Sequence, residues 1–184
     1  MRHPNLVDRA DSCLVVVDMQ EPFLRTMFDR DAVVDGVRTL VGAAQILGLP
    51  ILVTVQNPER MGDTVPEIAE VLPPVAAISK MSFSCCGDKT FLEMLEQLGK
   101  KAVIVCGIET HICVSQTAHD LLVMGYKVHV PEDAVCSRTE QNWRIGLEKM
   151  RKSGIIVSST EAVIFELLRC AGSDEFRQVL KLVK

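Results

Sequence analysis

Val103-Ile-Val-Cys-Gly-Ile-Glu-Thr-His-Ile-Cys113 reads as a buried strand, a glycine turn, and then a helix whose first turn carries a cysteine. An apolar, β-branched run without polar alternation suits a strand covered on both faces, as in a parallel sheet. At the start of the next helix, free amide donors and the positive dipole end favour a thiolate over a thiol. Cys113 is therefore a candidate nucleophile; the other reading of the same residue is small apolar packing.

The pattern repeats on both sides of that stretch. Cys13-Leu-Val-Val-Val17, Ile51-Leu-Val-Thr-Val55, Tyr126-Lys-Val-His-Val130 and Ile155-Ile-Val157 are further strands, the opening one runs over Ala102-Val-Ile-Val-Cys106, and Val75-Ala-Ala-Ile78 is a short one ending at Lys80. Val33, Val34, Val37, Leu40, Val41, Ala44 and Leu47 recur at helical spacing, stopped by Gly48-Leu-Pro50. Asp88 to Leu98 is an amphipathic helix with Phe91, Leu92, Leu95 and Leu98 on one face, and Thr110 to Met124 is another with Val114, Ala118, Leu121 and Leu122 inward. Ser137-Arg-Thr-Glu140 has capping-box spacing ahead of Trp143, Leu147 and Met150. Ser158-Ser-Thr-Glu161 caps one more helix, and Phe176, Val179, Leu180 and Val183 mark a terminal one. Residues 56–74 carry five helix-breaking Pro and Gly residues, although Pro66 can open a short helix through Val71. Strands this far apart cannot form hairpins. The expectation is an α/β fold, a three-layer αβα arrangement around a Rossmann-like, doubly wound, mostly parallel six-stranded sheet, in a single domain over 1–184. Ligands of such sheets bind beyond the carboxyl ends of the strands, where the strand order reverses.

Composition bounds the function. A chain of 184 residues can bury roughly 70% of its unfolded surface in one domain. A net charge of −4 and only 4% aromatic residues leave no basic stripe or stacking platform, so no nucleic-acid partner is expected. No apolar run approaches the roughly 20 residues needed to cross a bilayer, so no membrane partner is expected either. Met1-Arg-His-Pro-Asn-Leu-Val-Asp8 lacks a signal-peptide core, and Asp8 and Asp11 argue against a transit peptide; the expected location is cytoplasmic. Seven cysteines, an odd number without regular spacing, read as free thiols. Cys13, Cys106, Cys136 and Cys170 read as packing, and the adjacent Cys85 and Cys86 suit neither a zinc knuckle nor a redox pair.

Asp18 follows the first strand, Lys80 the third and Cys113 the fourth, so a doubly wound sheet would bring all three to one rim. Taken singly, Asp18 suits a turn cap and Lys80 a solvated charge; their coincidence with Cys113 is what points to chemistry. Val15-Val-Val-Asp-Met-Gln-Glu-Pro-Phe23, Lys80-Met-Ser-Phe83 and Cys106-Gly-Ile-Glu-Thr-His-Ile-Cys-Val114 resemble the isochorismatase-like cysteine hydrolases over nearly the whole chain. Gln56-Asn-Pro-Glu59, Thr64-Val-Pro-Glu67 and Asp133-Ala134 are most similar to the isochorismatase domain-containing branch.

That resemblance implies a Rossmann-like fold, a catalytic triad of Asp18, Lys80 and Cys113, and a non-proline cis peptide between Ile108 and Glu109. It further implies an oxyanion hole from the backbone N–H groups of Glu109 and Cys113, and assembly as a homo-oligomer. In the implied chemistry Asp18 takes the thiol proton, Lys80 supports the thiolate and holds the carboxylate, and the sulfur attacks a carbonyl carbon. Gln20, Phe23, Phe83, Ile108 and His111 are the candidate substrate-binding residues. Nicotinamidases of the superfamily hold a metal with an Asp-x-His pair after the second strand. Gln56-Asn57-Pro58 stands there in this chain, with no histidine between His3 and His111, so neither metal nor cofactor is expected. Siderophore-pathway isochorismatases lack the cysteine, so isochorismate is not the expected substrate. The expected activity is metal-independent hydrolysis of a small amide or related acyl compound. The alternatives are a non-catalytic binding or assembly protein that kept the fold, and a thiol redox protein pairing Cys113 with Cys85 or Cys86.

Overall fold

The computed structural model of the protein describes residues 3–183. Met1 and Arg2, part of the stretch read above for a signal, lie outside it, as does Lys184. Seven strands form one sheet: β1 (Ser12–Val17), β2 (Ile51–Gln56), β3 (Ile78–Lys80), β4 (Ala102–Ile108), β5 (Lys127–Pro131), β6 (Val135–Cys136) and β7 (Ile156–Ser158). Their order is β3-β2-β1-β4-β5-β7, with β6 alongside β4, and every named strand pair is parallel. The expected sheet of six strands gains a seventh. β5 pairs β4 only at residues 102–104, and β6 takes up the pairing beside Gly107 and Ile108.

The helices are α1 (Glu21–Leu24), α2 (Arg30–Leu47), α3 (Pro58–Met61), α4 (Pro66–Ala69), α5 (Lys89–Gln97), α6 (Ser115–Val123), α7 (Glu140–Lys152), α8 (Thr160–Leu168) and α9 (Asp174–Val179). Strand alternation divides them between the two faces. Leu14 and Val16 of β1, with Ile104 and Cys106 of β4, pack under α2, α8 and α9. Cys13, Val15 and Val17, with Val103 and Val105, pack under α5, α6 and α7. The layers are therefore αβα, as the uninterrupted β-branched runs require. Order reverses between β1 and β4: the chain winds outward from β1 to β3, then returns to β1's other side. That crevice is where a ligand site belongs.

Local departures have local causes. The third strand begins at Ile78 rather than Val75, because residues 75–77 are exposed and pair with nothing in the sheet. Gly107 is not in a turn. It lies within β4 at φ +107, and a Cβ there would stand 2.1 Å from the carbonyl oxygen of Val17. Glycine lets the two central strands meet at their carboxyl ends. The helix after β4 opens as a π-helical turn, Thr110–Val114, in which the Val114 N–H donates to the Glu109 carbonyl, before α6 resumes α geometry. Thr139, not Ser137, caps α7, accepting from the Asn142 N–H. Cys170 is exposed rather than packed.

Candidate active site

At the carboxyl rim, Asp18 follows the last residue of β1, and its φ of +51 turns the chain out of the sheet. Few non-glycine residues hold that region, and Asp tolerates it better than most. The Asp18 N–H donates to the Thr54 carbonyl, which anchors this turn to β2. Thr54 is the one hydroxyl in the apolar run Ile51–Val55, and its Oγ1 donates to Asp18 Oδ1 at 2.8 Å.

Lys80 ends β3, two strands away from β1. Neighbouring strands lie about 4.8 Å apart, a span that a lysine stem can cross. Its side chain passes over β2 and puts Nζ 2.6 Å from Asp18 Oδ2. Gln56 Oε1 at 2.9 Å, Ser82 O at 3.1 Å and Phe83 O at 3.2 Å also accept from Nζ. The lysine side chain is 0% exposed and that of Asp18 is 2% exposed. An ammonium has three protons, and here they face four acceptors; no donor is left for a ligand.

Cys113, on the π turn, is 8% exposed and completes the cluster. Its thiol is pushed up to about 12, first by burial and then by the charge of the Asp18 carboxylate, while Lys80 pulls the other way. The helix start is not enough to make a resting thiolate. Desolvation and the nearby carboxylate outweigh the dipole and the lysine, so the resting form is the S–H. The Ile108–Glu109 peptide bond, immediately before this turn, is cis.

These groups meet a cavity of about 70 Å³ lined by Asp18, Phe23, Gln56, Phe83, Ile108, Glu109, Ile112 and Cys113. Three of the five candidate substrate-binding residues, Phe23, Phe83 and Ile108, are in that wall. Gln20 is not. It is fully buried, its Nε2 donates to Gln56 O and Gly62 O, and its Oε1 accepts from the Gln56 N–H. Every polar atom of that amide is already used in tying the first loop to the end of β2. His111 is also outside the wall, with Nδ1 3.0 Å from Ser137 Oγ. The carboxylate of Glu109 accepts from the backbone N–H and Nε of Arg138. Gln56, quoted above only within a motif and as the residue in place of a metal ligand, and Ile112 and Thr54 were not among the candidate site residues. The available signals were a lone hydroxyl in a buried strand and a polar residue at a strand's carboxyl end.

A larger concavity, about 660 Å³, opens beside the amino ends of β4 and β5 between Leu92, Lys100, Tyr126 and His129. No Cys or Ser among the described residues lines it, so it has no counterpart to Cys113 beside Asp18. Among the described residues, no group of three or more His, Cys, Asp or Glu side chains is placed to share a metal ion, and no helix is long and apolar enough to cross a membrane.

The family model described as the isochorismatase domain matches residues 12–162. The secreted isochorismatase effector Isc1 of Phytophthora sojae is 42% identical over 177 residues, covering 94% of this chain and 84% of the relative. Isochorismatase domain-containing protein 2 of Danio rerio is 37% identical over 173 residues, covering 94% and 86%. Among solved structures, one titled MAR1 ribonuclease from Caenorhabditis elegans superposes with a TM-score of 0.91 at 35% identity, over 96% of this chain and 91% of that one.

Proposed function

This chain belongs to the isochorismatase domain family and has its hydrolase fold, and from that premise we propose that it is a metal-independent cysteine hydrolase of a small amide or related acyl compound. Cys113 is the nucleophile, Asp18 the base and Lys80 the cation that holds the base. The observation that carries this reading is the buried 2.6 Å Asp18–Lys80 pair, whose carboxylate lines one small cavity together with the Cys113 thiol. With Thr54 on one oxygen and Lys80 on the other, that carboxylate has a fixed direction in which to accept a proton.

The thiol rests protonated, so its proton passes to Asp18 as sulfur attacks the carbonyl carbon. The N–H groups of Glu109 and Cys113 receive the oxyanion, each such donor being worth about 2.7–4 kcal/mol of barrier. Collapse breaks the C–N bond, and the leaving amine departs with the proton held by Asp18. A thioester on Cys113 remains. Water then gives a proton to Asp18 and attacks the thioester; the acid leaves and the proton returns to sulfur. Phe23, Phe83 and Ile108 supply the apolar walls.

Neither alternative gains support. Cys85 is fully buried with its sulfur 3.7 Å from Thr54 Oγ1, and a bare binding role gives no reason for a paired Asp and Lys beneath a thiol. Among the described residues no Lys, Arg or His lines the cavity, so a phosphodiester would meet no cation there, and the ribonuclease activity named for the nematode structure is not carried over. Assembly with further copies of itself and a reducing, cytoplasmic setting suit the fold and its seven free thiols.

The test is an ammonia-release screen of small amides against purified protein, with Cys113→Ala in parallel. The variant is expected to melt like the parent and to lose at least about 1,000-fold in kcat. Full activity in Cys113→Ala removes the nucleophile assignment.

A further inference from the structure

The charges around the cavity say more than which atoms react. Its two formally charged wall residues are both carboxylates, Asp18 and Glu109. The nearest cation, Lys80, is sealed behind Asp18 with four acceptors on its ammonium. Arg138 is paired to the Glu109 carboxylate. Gln56, the remaining polar wall residue apart from Cys113, turns its amide oxygen to Lys80 and its amide nitrogen to the Met81 carbonyl. The rest of the wall is Phe23, Phe83, Ile108 and Ile112.

On these observations, and resting on the cysteine-hydrolase reading above, we infer that the substrate is uncharged and narrow at its reacting end: a short aliphatic primary amide or comparable acyl compound carrying no carboxylate, phosphate or sulfonate near the carbonyl. A cavity of about 70 Å³ is well below the roughly 300–1,000 Å³ of pockets that take drug-sized ligands. That suits a small reacting end. A substrate anion would lose its hydration there and gain no free cation, because Lys80 and Arg138 are already paired with the two wall carboxylates. A neutral amide needs only the backbone donors and the apolar walls.

The test uses two nearly isosteric electrophiles, iodoacetamide and iodoacetate, with the full-length protein and peptide mass mapping to read labelling at Cys113 alone. Each rate is divided by the rate for glutathione with the same reagent at the same pH and salt. The expected normalised preference for iodoacetamide is at least about 30-fold, and Phe83→Arg, which adds a cation to a wall residue 55% exposed, is expected to cut it at least about 10-fold. Equal normalised rates, a preference for iodoacetate, or no labelling of Cys113 by either reagent would overturn the inference. Alkylation does not require turnover. A strong preference in a protein that hydrolyses no amide would therefore sink the hydrolase reading and leave the neutral pocket standing.

Discussion

Replacing Lys80 by Met tests the electrostatic frame of the site without recourse to a substrate. The side chains of Lys80 and Asp18 are 0% and 2% exposed and 2.6 Å apart. Removing the ammonium leaves a buried carboxylate without a counter-charge, and Gln56 Oε1 and the carbonyls of Ser82 and Phe83 lose a donor. Breaking one side of such a pair typically destabilises by about 3–5 kcal/mol, because the surviving charge stays desolvated. An exposed pair provides the control. Arg9 and Glu175, 2.9 Å apart with both side chains 40% exposed, should lose no more than about 1 kcal/mol on Arg9→Met. The assay is equilibrium urea unfolding at pH 7, with unchanged m-values confirming that only stability has moved. Asp18→Asn closes a double-mutant cycle. With both charges gone, Asp18→Asn/Lys80→Met should be more stable than Lys80→Met alone, giving a coupling of at least about 2 kcal/mol. A Lys80→Met variant within about 1 kcal/mol of the parent, or strictly additive single effects, would refute the argument.

Two further outcomes follow from buried groups. His129 is 1% exposed, neither ring nitrogen has a hydrogen-bond partner among the described residues, and burial, with a smaller contribution from Lys127, pushes it down to about 4. Since unfolded histidine titrates near 6.5, the unfolded chain binds more protons between those values. Stability should therefore fall as pH drops from about 6.5 through 4, by on the order of 3 kcal/mol, and His129→Leu should flatten that part of the curve; an unchanged slope in the variant would contradict this. Gly107→Ala must place a methyl 2.1 Å from the Val17 carbonyl at φ +107, so urea unfolding should show a loss of more than about 2 kcal/mol; a loss under 0.5 kcal/mol would show that the strands can part.

How far the sequence could be read depended on whether a feature was local. Continuous β-branched runs announced β1, β2 and β4 because both faces of a parallel sheet are covered, and the stripe from Val33 to Leu47 is buried throughout α2. Asp18, Lys80 and Cys113 could be placed on one rim because strand ends share an edge whatever the separation in the chain. Features decided by tertiary contact were not legible. A two-residue strand such as β6 has no period. Ser137 has the same capping chemistry as Thr139, and its hydroxyl lies against His111 instead. Gln20 is adjacent to the right loop yet faces inward to β2. The state of the Cys113 thiol depends on how deeply other elements bury it, which a helix-start rule does not contain. The glycine at 107 signalled a special backbone but not that the strand runs through it.

The helix α7 adds no side chain to the cavity wall, yet it packs on the turn that carries Cys113, the proposed nucleophile. At Gly146 a Cβ would stand 3.0 Å from the Cα of His111 and 3.2 Å from the carbonyl carbon of Thr110, so bare backbone rests on the turn that presents Cys113. Among the described residues none beyond Cys113 lines the cavity, so the chain's later portion meets it through backbone packing and through Arg138 on Glu109. One added methyl at position 146 would force the backbone of Thr110 and His111, three and two residues before Cys113, to give way by a few tenths of an ångström.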